Sequence, residues 1–151
     1  MSAVALGVQI REGRAEDAAA AAAILNAWID ATPWMPRIHS PADVARHYRE
    51  TVFAERSVLV AGDPIMGFLA LDDGAACVTA LYLSTPGQGI GKALLDRAKV
   101  GRARLELWTF LDNRRARRFY AREGFAEIQR TDGDNEEGLP DVLLRWERGD
   151  G

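Results

Sequence analysis

Apolar and polar residues follow a helical period over two stretches in the first third of the chain. Residues Glu16 to Ile29 place Ile24 and Trp28 on one face, which predicts a first helix. Ser40 begins a second helix, because serine, a first-turn proline and an acid three residues on form a capping pattern. A short strand at 8–10 precedes both helices, and Val44, His47, Tyr48, Thr51 and Val52 form the predicted inner face of the second.

The rest of the chain alternates between strand and helix periods. Three β-rich runs separated by turn-forming residues predict an antiparallel meander at 57–61, 65–71 and 76–83. Helical spacing follows from Ile90 to Gly101, then a strand at 105–110, a helix at 113–122, and a hairpin of 126–130 with 142–146. This order predicts an α/β fold, in which about four helices flank a mixed, mostly antiparallel sheet of about seven strands.

Composition limits the class of protein. With 151 residues, 48% of them apolar, the chain matches one domain over residues 1–151. A net charge of -3 argues against nucleic acid as a partner, and no segment fits an export signal or a membrane span. The single cysteine, Cys77, allows no intramolecular disulfide. We therefore expect a cytoplasmic protein that does not associate with membranes.

The segment Gly87-Gln88-Gly89-Ile90-Gly91 joins a predicted strand to a predicted helix. Such a turn exposes unpaired N–H groups at the positive end of the helix dipole, and glycine permits both positive φ values and close approach of an anion. This geometry suits a pyrophosphate. The alternative is a tight strand-to-helix connection that binds no ligand.

Two nucleotide-binding motifs fit the turn poorly. A P-loop requires a glycine five residues before Gly-Lys and a hydroxyl after it, but Pro86 and Ala93 occupy these positions. A dinucleotide fingerprint requires G-x-G-x-x-G, and the third glycine comes one residue early. A nucleotide phosphate-binding protein is therefore disfavoured.

The turn and a second segment together resemble the GNAT superfamily of N-acetyltransferases. Leu81-Tyr82-Leu83 with the glycine turn is similar to the family's strand, motif Q/R-x-x-G-x-G/A and helix, and residues 113–125 resemble its asparagine, Phe-Tyr and Gly-Phe signature. The resemblance implies a single GNAT-like domain whose central strands splay apart. It also implies an acetyl-CoA-dependent N-acyltransferase that acetylates a primary amine by direct attack in a ternary complex.

One position departs from the family pattern. Pro86 stands where the motif begins with glutamine or arginine, so one phosphate contact is missing. A register shifted by two residues satisfies the written motif but displaces the leucines of the helix. Pro86 and the lack of an unambiguous base motivate an alternative, a non-catalytic acyl-CoA-binding sensor module.

The resemblance also implies site residues. Tyr120 is the candidate general acid for the departing thiolate, with a purely structural core position as its alternative. The arginines of the 114–122 helix are expected on a solvated face, from which one or two could pair with the coenzyme's 3′-phosphate. The implied acetyl-CoA contacts are the main chain of Leu81 and Leu83, together with Gln88, Gly89, Gly91, Lys92 and Asn113, which is also a helix cap.

The acceptor pocket is expected between the first two helices, where Trp34 and His39 lie in a proline-containing segment. Glu136, in an acidic loop, could attract a cationic amine or supply a base. Alternatively, Trp34 caps the core, His39 is a turn residue, and Glu136 lies in an exposed hairpin tip. The loop lacks the glycine and final ligand of an EF-hand, so no metal is expected.

The remaining predictions concern the base and the partners. Asp72, Asp73 and Glu106 are further candidates for the base. The acceptor is a small-molecule or peptide amine that the sequence does not choose. A homodimer is possible, as small domains of this family often dimerise.

Overall fold

Seven strands form one mixed sheet in the computed structural model, which describes residues 8–149. The sheet order is β1-β2-β3-β4-β5-β7-β6, and every neighbouring pair is antiparallel except the parallel pair β4 and β5. The strands are β1 (Ile10–Glu12), β2 (Ser57–Ala61), β3 (Gly67–Asp72), β4 (Cys77–Leu83), β5 (Arg104–Phe110), β6 (Ala126–Thr131) and β7 (Asp141–Glu147).

Four helices cover the sheet. They are α1 (Ala18–Ala31), α2 (Pro41–His47), α3 (Ile90–Lys99) and α4 (Arg114–Arg122). A 3₁₀ turn at Ala15–Asp17 precedes α1, and α2 continues through a π-helical turn, Tyr48–Val52, into a short turn at Phe53–Glu55. The predicted α/β fold and element order are therefore confirmed.

The two faces of the sheet carry separate apolar clusters. Neighbouring residues of β3 point to opposite faces, so Phe68 packs with α1 and α2 whereas Leu69 packs with α3 and α4. The second cluster contains the fully buried residues Ile90, Leu94 and Leu95. The apolar stripe predicted for the helix after the glycine turn therefore faces the core.

Several element boundaries differ from the sequence prediction by one or two residues, and one residue predicted to face inward is exposed. The first strand begins at Ile10, which pairs with Ala61, and not at Val8. His47 is exposed instead of facing inward, because the wider π-helical turn after it carries the apolar face on Tyr48 and Val52. The cap prediction for α2 is confirmed, since the Asp43 N–H donates to Ser40 Oγ at 3.1 Å.

The parallel strands β4 and β5 meet at one end and separate toward the other. Cys77 lies opposite Glu106 near the start of both strands, and the Glu106 N–H donates to the Ala76 carbonyl at 2.9 Å. The ladder does not continue to Leu83 and Phe110, where the strands end. The splayed central pair is thus present, and it leaves a gap in the sheet.

Candidate active site

The gap exposes backbone groups of β4. The Ser84 N–H donates to the Met66 carbonyl at 2.8 Å, which orients Ser84 toward β3. Because backbone groups alternate in direction along an antiparallel ladder, Leu81 and Leu83 direct their N–H and C=O groups to the other side, into the gap. This is the geometry that the predicted pantetheine contact requires.

The glycine turn lies at the end of β4 beside the gap. Gly87 and Gly89 have φ values of 87° and 77°, which favour glycine, and Gly89 is the N-cap of α3 with no side-chain cap. The first N–H groups of α3 are therefore available to an anion. Gln88 is half-buried in the same turn.

Gly91 allows close packing behind the turn. A Cβ at this position would lie 3.4 Å from both Leu83 Cδ1 and Phe119 Cζ. The first turn of α3 thus sits directly against the end of β4 and against α4. Sequence reasoning did not single out Arg115, whose Nη2 atom would lie 3.7 Å from a Cβ built on Gly87.

Lys92 and Asn113 have structural partners. Lys92 Nζ pairs with Glu123 at 3.1 Å and with Asp96 at 3.3 Å, so its side chain runs along α3 away from the turn. The hydrogen bond to Glu123 raises the pKa of Lys92. Asn113 caps α4 as predicted, because its Oδ1 accepts from the Ala116 N–H at 3.1 Å.

Tyr120 is 8% exposed and packs in the core between α3, α4 and the sheet. Its ring centroid lies 5.2 Å from that of Phe119 and 5.5 Å from that of Phe125. Burial, and secondly the neighbouring Tyr82, raise the pKa of Tyr120, so its hydroxyl keeps its proton at neutral pH. The structure thus shows the core position of Tyr120, and its role as a proton donor stays a prediction.

Tyr82 alternates with Leu81 and Leu83 along β4. Its side chain therefore lies on the face of the sheet opposite to theirs and approaches the gap from that face. Burial, and secondly the charge of Glu137, raise its pKa to about 12. Sequence reasoning quoted this tyrosine only as part of the strand. Its alternation with the two leucines was the available signal for a separate role.

A cavity of about 450 Å³ lies between α1, α2 and the open ends of β4 and β5. Its wall includes part of a chain of four rings, which we call the aromatic bridge: Tyr82, Trp28, Trp34 and Phe110. Successive ring centroids lie 5.2, 5.8 and 5.9 Å apart. The bridge therefore connects β4 to β5 through side chains where the backbone ladder is missing.

The structure brings the predicted acceptor residues together. His39 Nε2 lies 3.2 Å from Glu136 Oε2 across 97 residues of sequence, and both residues line the cavity. Trp34 does not line the cavity itself but belongs to the aromatic bridge, where it packs against Trp28 and Phe110. Both side chains of the pair are largely exposed, at 53% for His39 and 65% for Glu136.

Partly buried hydrogen bonds hold the loop between β6 and β7 that carries Glu136. Asn135 Nδ2 donates to the Leu139 carbonyl at 2.8 Å and to Asp141 Oδ2 at 3.1 Å, while Asn135 Oδ1 accepts from the Leu139 N–H at 3.2 Å. Asp141 is 7% exposed and also accepts from the Thr131 hydroxyl. These contacts fix the start and end of the loop.

Three other candidates for the base lie at the wrong end of the strands. Glu106 pairs with Arg145 at 2.7 Å and sits four residues, or about 13 Å, from the end of β5. Asp73 accepts from Ser57 and Arg102, and Asp72 ends β3 in the same turn region. None of the three lines the cavity described above.

The acetyltransferase (GNAT) domain model matches residues 50–127, which is more than half of the chain. The chain therefore belongs to the GNAT acetyltransferase family. No curated protein sequence was found to match it.

Solved structures share this fold at low sequence identity. Apo YjaB from Escherichia coli is 23% identical with a TM-score of 0.74, covering 92% of this chain and 97% of its own. The yncA protein of Salmonella typhimurium, solved with its cofactor acetyl-CoA, is 18% identical with a TM-score of 0.69 and 95% coverage of both chains. A ribosomal-protein-alanine N-acetyltransferase from Brucella melitensis is 17% identical with a TM-score of 0.70, covering 93% and 99%.

Within residues 8–149, no helix is long and apolar enough to cross a membrane. The same residues contain no group of three or more His, Cys, Asp or Glu side chains placed to hold a metal ion.

Proposed function

We propose that this protein is an N-acetyltransferase that moves the acetyl group of acetyl-CoA to a primary amine by direct attack in a ternary complex. The observation that carries the proposal is the gap between β4 and β5, with an uncapped helix N-terminus on one side and an aromatic cavity on the other. The thioester would lie in the gap, within reach of both. Family membership supports acyl transfer as the reaction class.

The glycine turn would hold the pyrophosphate of the coenzyme. The N–H groups at Gly89 and Gly91 and the half-buried Gln88 supply donors, and the Arg115 guanidinium adds positive charge nearby. Since its side chain is engaged by Glu123, Lys92 would contribute mainly its backbone N–H. Asn113 would donate through Nδ2, because its oxygen is occupied by the cap.

Pantetheine would pair with the main chain of Leu81 and Leu83, much as a strand would. A backbone N–H in the gap would then polarise the thioester carbonyl as negative charge develops on its oxygen.

The chemistry requires that the nitrogen lose two protons and that the leaving thiolate gain one. An alkyl ammonium has a pKa of about 10, so the site must remove a proton before nitrogen attacks the carbonyl carbon. The His39–Glu136 pair would accept that proton, through water where needed. A C–N bond forms as the C–S bond breaks, and the departing thiolate takes a proton from Tyr120, which burial keeps protonated. The second proton lost by the nitrogen, as it becomes an amide, would return to Tyr120 through water and restore its hydroxyl.

We also propose that residues 1–151 form one domain and that the protein is cytoplasmic, as its single cysteine suggests. The net charge of -3 supports a small or peptide amine rather than nucleic acid as the partner. A homodimer stays a prediction.

Thiol release from acetyl-CoA tests the proposal. The purified protein is incubated with acetyl-CoA and a broad panel of primary amines, and free thiol and acetylated amine are quantified. At least one amine should release thiol in equal amount to its acetylated product. Coenzyme binding by calorimetry with no turnover of any amine would instead favour the acyl-CoA-binding sensor.

The Tyr120→Phe variant separates the two functions further. Loss of a general acid lowers turnover by about 10²- to 10⁴-fold, whereas coenzyme affinity should barely change. Unchanged turnover would remove Tyr120 from the mechanism. Thermal unfolding of the variant serves as the control for folding, because Tyr120 packs in the core.

A further inference from the structure

The acceptor cavity combines an apolar wall with an acidic rim. The wall is built mainly from Leu25, Trp28, Ile29, Met35, Tyr82 and Phe110. Three carboxylates, Asp43, Glu136 and Glu137, also line it, together with two histidines. Among the described residues that line the cavity, none is lysine or arginine.

The one arginine in the segment between α1 and α2 points elsewhere. Arg37 Nη2 pairs with Asp30 at 2.9 Å, and Arg37 Nη1 donates to Asn26 Oδ1 at 3.1 Å. These contacts hold the guanidinium against α1. The loop that borders the cavity therefore offers its apolar and aromatic side chains, and no arginine, to an acceptor.

The two histidines do not make the charge of the cavity lining positive. His39 is already paired with Glu136 at 3.2 Å. His47 lies on the exposed side of α2, with its ring centroid 6.2 Å from that of Tyr48. Asp43 is paired with Arg46 at 2.7 Å, so Glu137 is the lining carboxylate that has no ion pair within residues 8–149. An acceptor that places its own carboxylate near Glu137 would meet repulsion.

Glu137 is the least exposed of the three carboxylates that line the cavity. It is half-buried and lines the cavity together with Tyr82 and Phe110, the residues at the open ends of β4 and β5. Its charge acts on the Tyr82 hydroxyl strongly enough to contribute, after burial, to the raised pKa of that tyrosine. An ammonium group bound beside Glu137 would therefore sit near the gap. The rings of Tyr82 and Phe110 would also favour a cation there.

We infer that the acceptor is a primary amine carried on an aromatic or branched apolar body, without a carboxylate. This inference rests on the proposed acetyltransferase function and specifies its substrate class. The ammonium head would bind beside Glu137, and the body would pack against Trp28 and the aliphatic wall. The cavity volume of about 450 Å³ suits such a ligand, since small-molecule sites span about 300–1,000 Å³.

Two matched pairs of amines test the substrate class. Phenylalaninol and phenylalanine differ in a hydroxymethyl group against a carboxylate, and pentylamine and 5-aminopentanoic acid differ in a carboxylate at the far end. Initial rates of acetylation are compared as kcat/KM at equal concentrations of unprotonated amine. The first member of each pair should be preferred by at least about tenfold, because a ligand carboxylate meets the lining carboxylates with no lysine or arginine beside it.

A charge-neutralising variant tests where the ammonium binds. Glu137→Gln should raise the KM for phenylalaninol about tenfold and leave the dissociation constant of acetyl-CoA unchanged. It should also narrow the preference for phenylalaninol over phenylalanine, because the repelling charge is gone. The matched control is Glu147→Gln, at the end of β7 remote from the gap, which should change neither value.

The outcomes distinguish the inference from the function on which it rests. Faster acetylation of phenylalanine or 5-aminopentanoic acid, or equal rates within both pairs, overturns the substrate class and leaves the acetyltransferase function standing. An unchanged KM in Glu137→Gln overturns the assigned binding position. If none of the four is acetylated but another amine in the broad panel is, the substrate class is wrong. If no amine at all is acetylated although acetyl-CoA binds, the proposed function fails.

Discussion

Replacing Asn135 with alanine tests whether the loop between β6 and β7 must be held in place for the acceptor to bind. The substitution removes three hydrogen bonds, two of them to Leu139 and one to the carboxylate of Asp141. Neutral hydrogen bonds contribute about 0.5–1.5 kcal/mol each and those to charged groups about 1.5–3 kcal/mol. Because water can replace some of these hydrogen bonds in a half-exposed loop, we take the lower end of the range for each bond. The three contributions then total about 2.5 kcal/mol.

That free energy corresponds to a change of more than about tenfold in the ordered population of the loop. Glu136 would lose its position opposite His39, so acceptor kcat/KM should fall by about tenfold or more. Acetyl-CoA affinity should not change, because the loop does not contribute to the glycine turn. Steady-state kinetics with both substrates varied, and calorimetry for the coenzyme, measure the two effects separately.

The isosteric Asn135→Asp variant sharpens the test. It keeps the side-chain shape but replaces both N–H donors with an oxygen that faces Asp141, so like charges meet and acceptor kcat/KM should fall further than in Asn135→Ala. Thermal unfolding checks that the rest of the protein is intact. Wild-type acceptor kinetics in both variants would refute the view that these hydrogen bonds present the loop to the cavity.

Two further predictions concern the glycine turn and the buried tyrosines. Gly89→Ala and Gly101→Ala both place alanine at positive φ, 77° and 74°, and should each cost about 1–2 kcal/mol of stability, but only Gly89→Ala should weaken acetyl-CoA binding in calorimetry. Equal coenzyme affinity in both would remove the turn from the binding site. Burial raises the pKa of all three tyrosines, so phenolate absorbance should be absent from the folded protein at pH 10. The stability that the raised pKa values of the tyrosines contribute is fully present below about pH 10. It is lost as the pH rises through the raised pKa of Tyr82, about 12. A full equivalent of phenolate in the folded protein at pH 10 would contradict the prediction.

The sequence predicted the features that depend on local signals. Capping at Ser40, glycine at positive φ in the turn and the change from strand to helix periods are properties of a few adjacent residues, and the structure has them in place. The order of elements then restricted the sheet to few arrangements. The splayed pair came from the family resemblance rather than from periodicity.

Contacts between distant residues were not accessible in the same way. Nothing local to Lys92 indicates that Glu123, 31 residues away, engages its amino group. His39 and Glu136 were each predicted near the acceptor, but their pairing depends on how the loop after β6 folds back over α1 and α2. The position of Arg115 beside the turn likewise depends on the packing of α4 against α3.

The gap between β4 and β5 also has a consequence for stability. The two parts of the sheet are joined by backbone pairing at one end and by the aromatic bridge at the other. A coenzyme bound between them would add contacts to both parts and hold them together. Ligand that binds only the folded state adds about 2.7 kcal/mol at a concentration one hundred times its dissociation constant. The resistance of this protein to heat and proteolysis would then report the acetyl-CoA level of the solution around it.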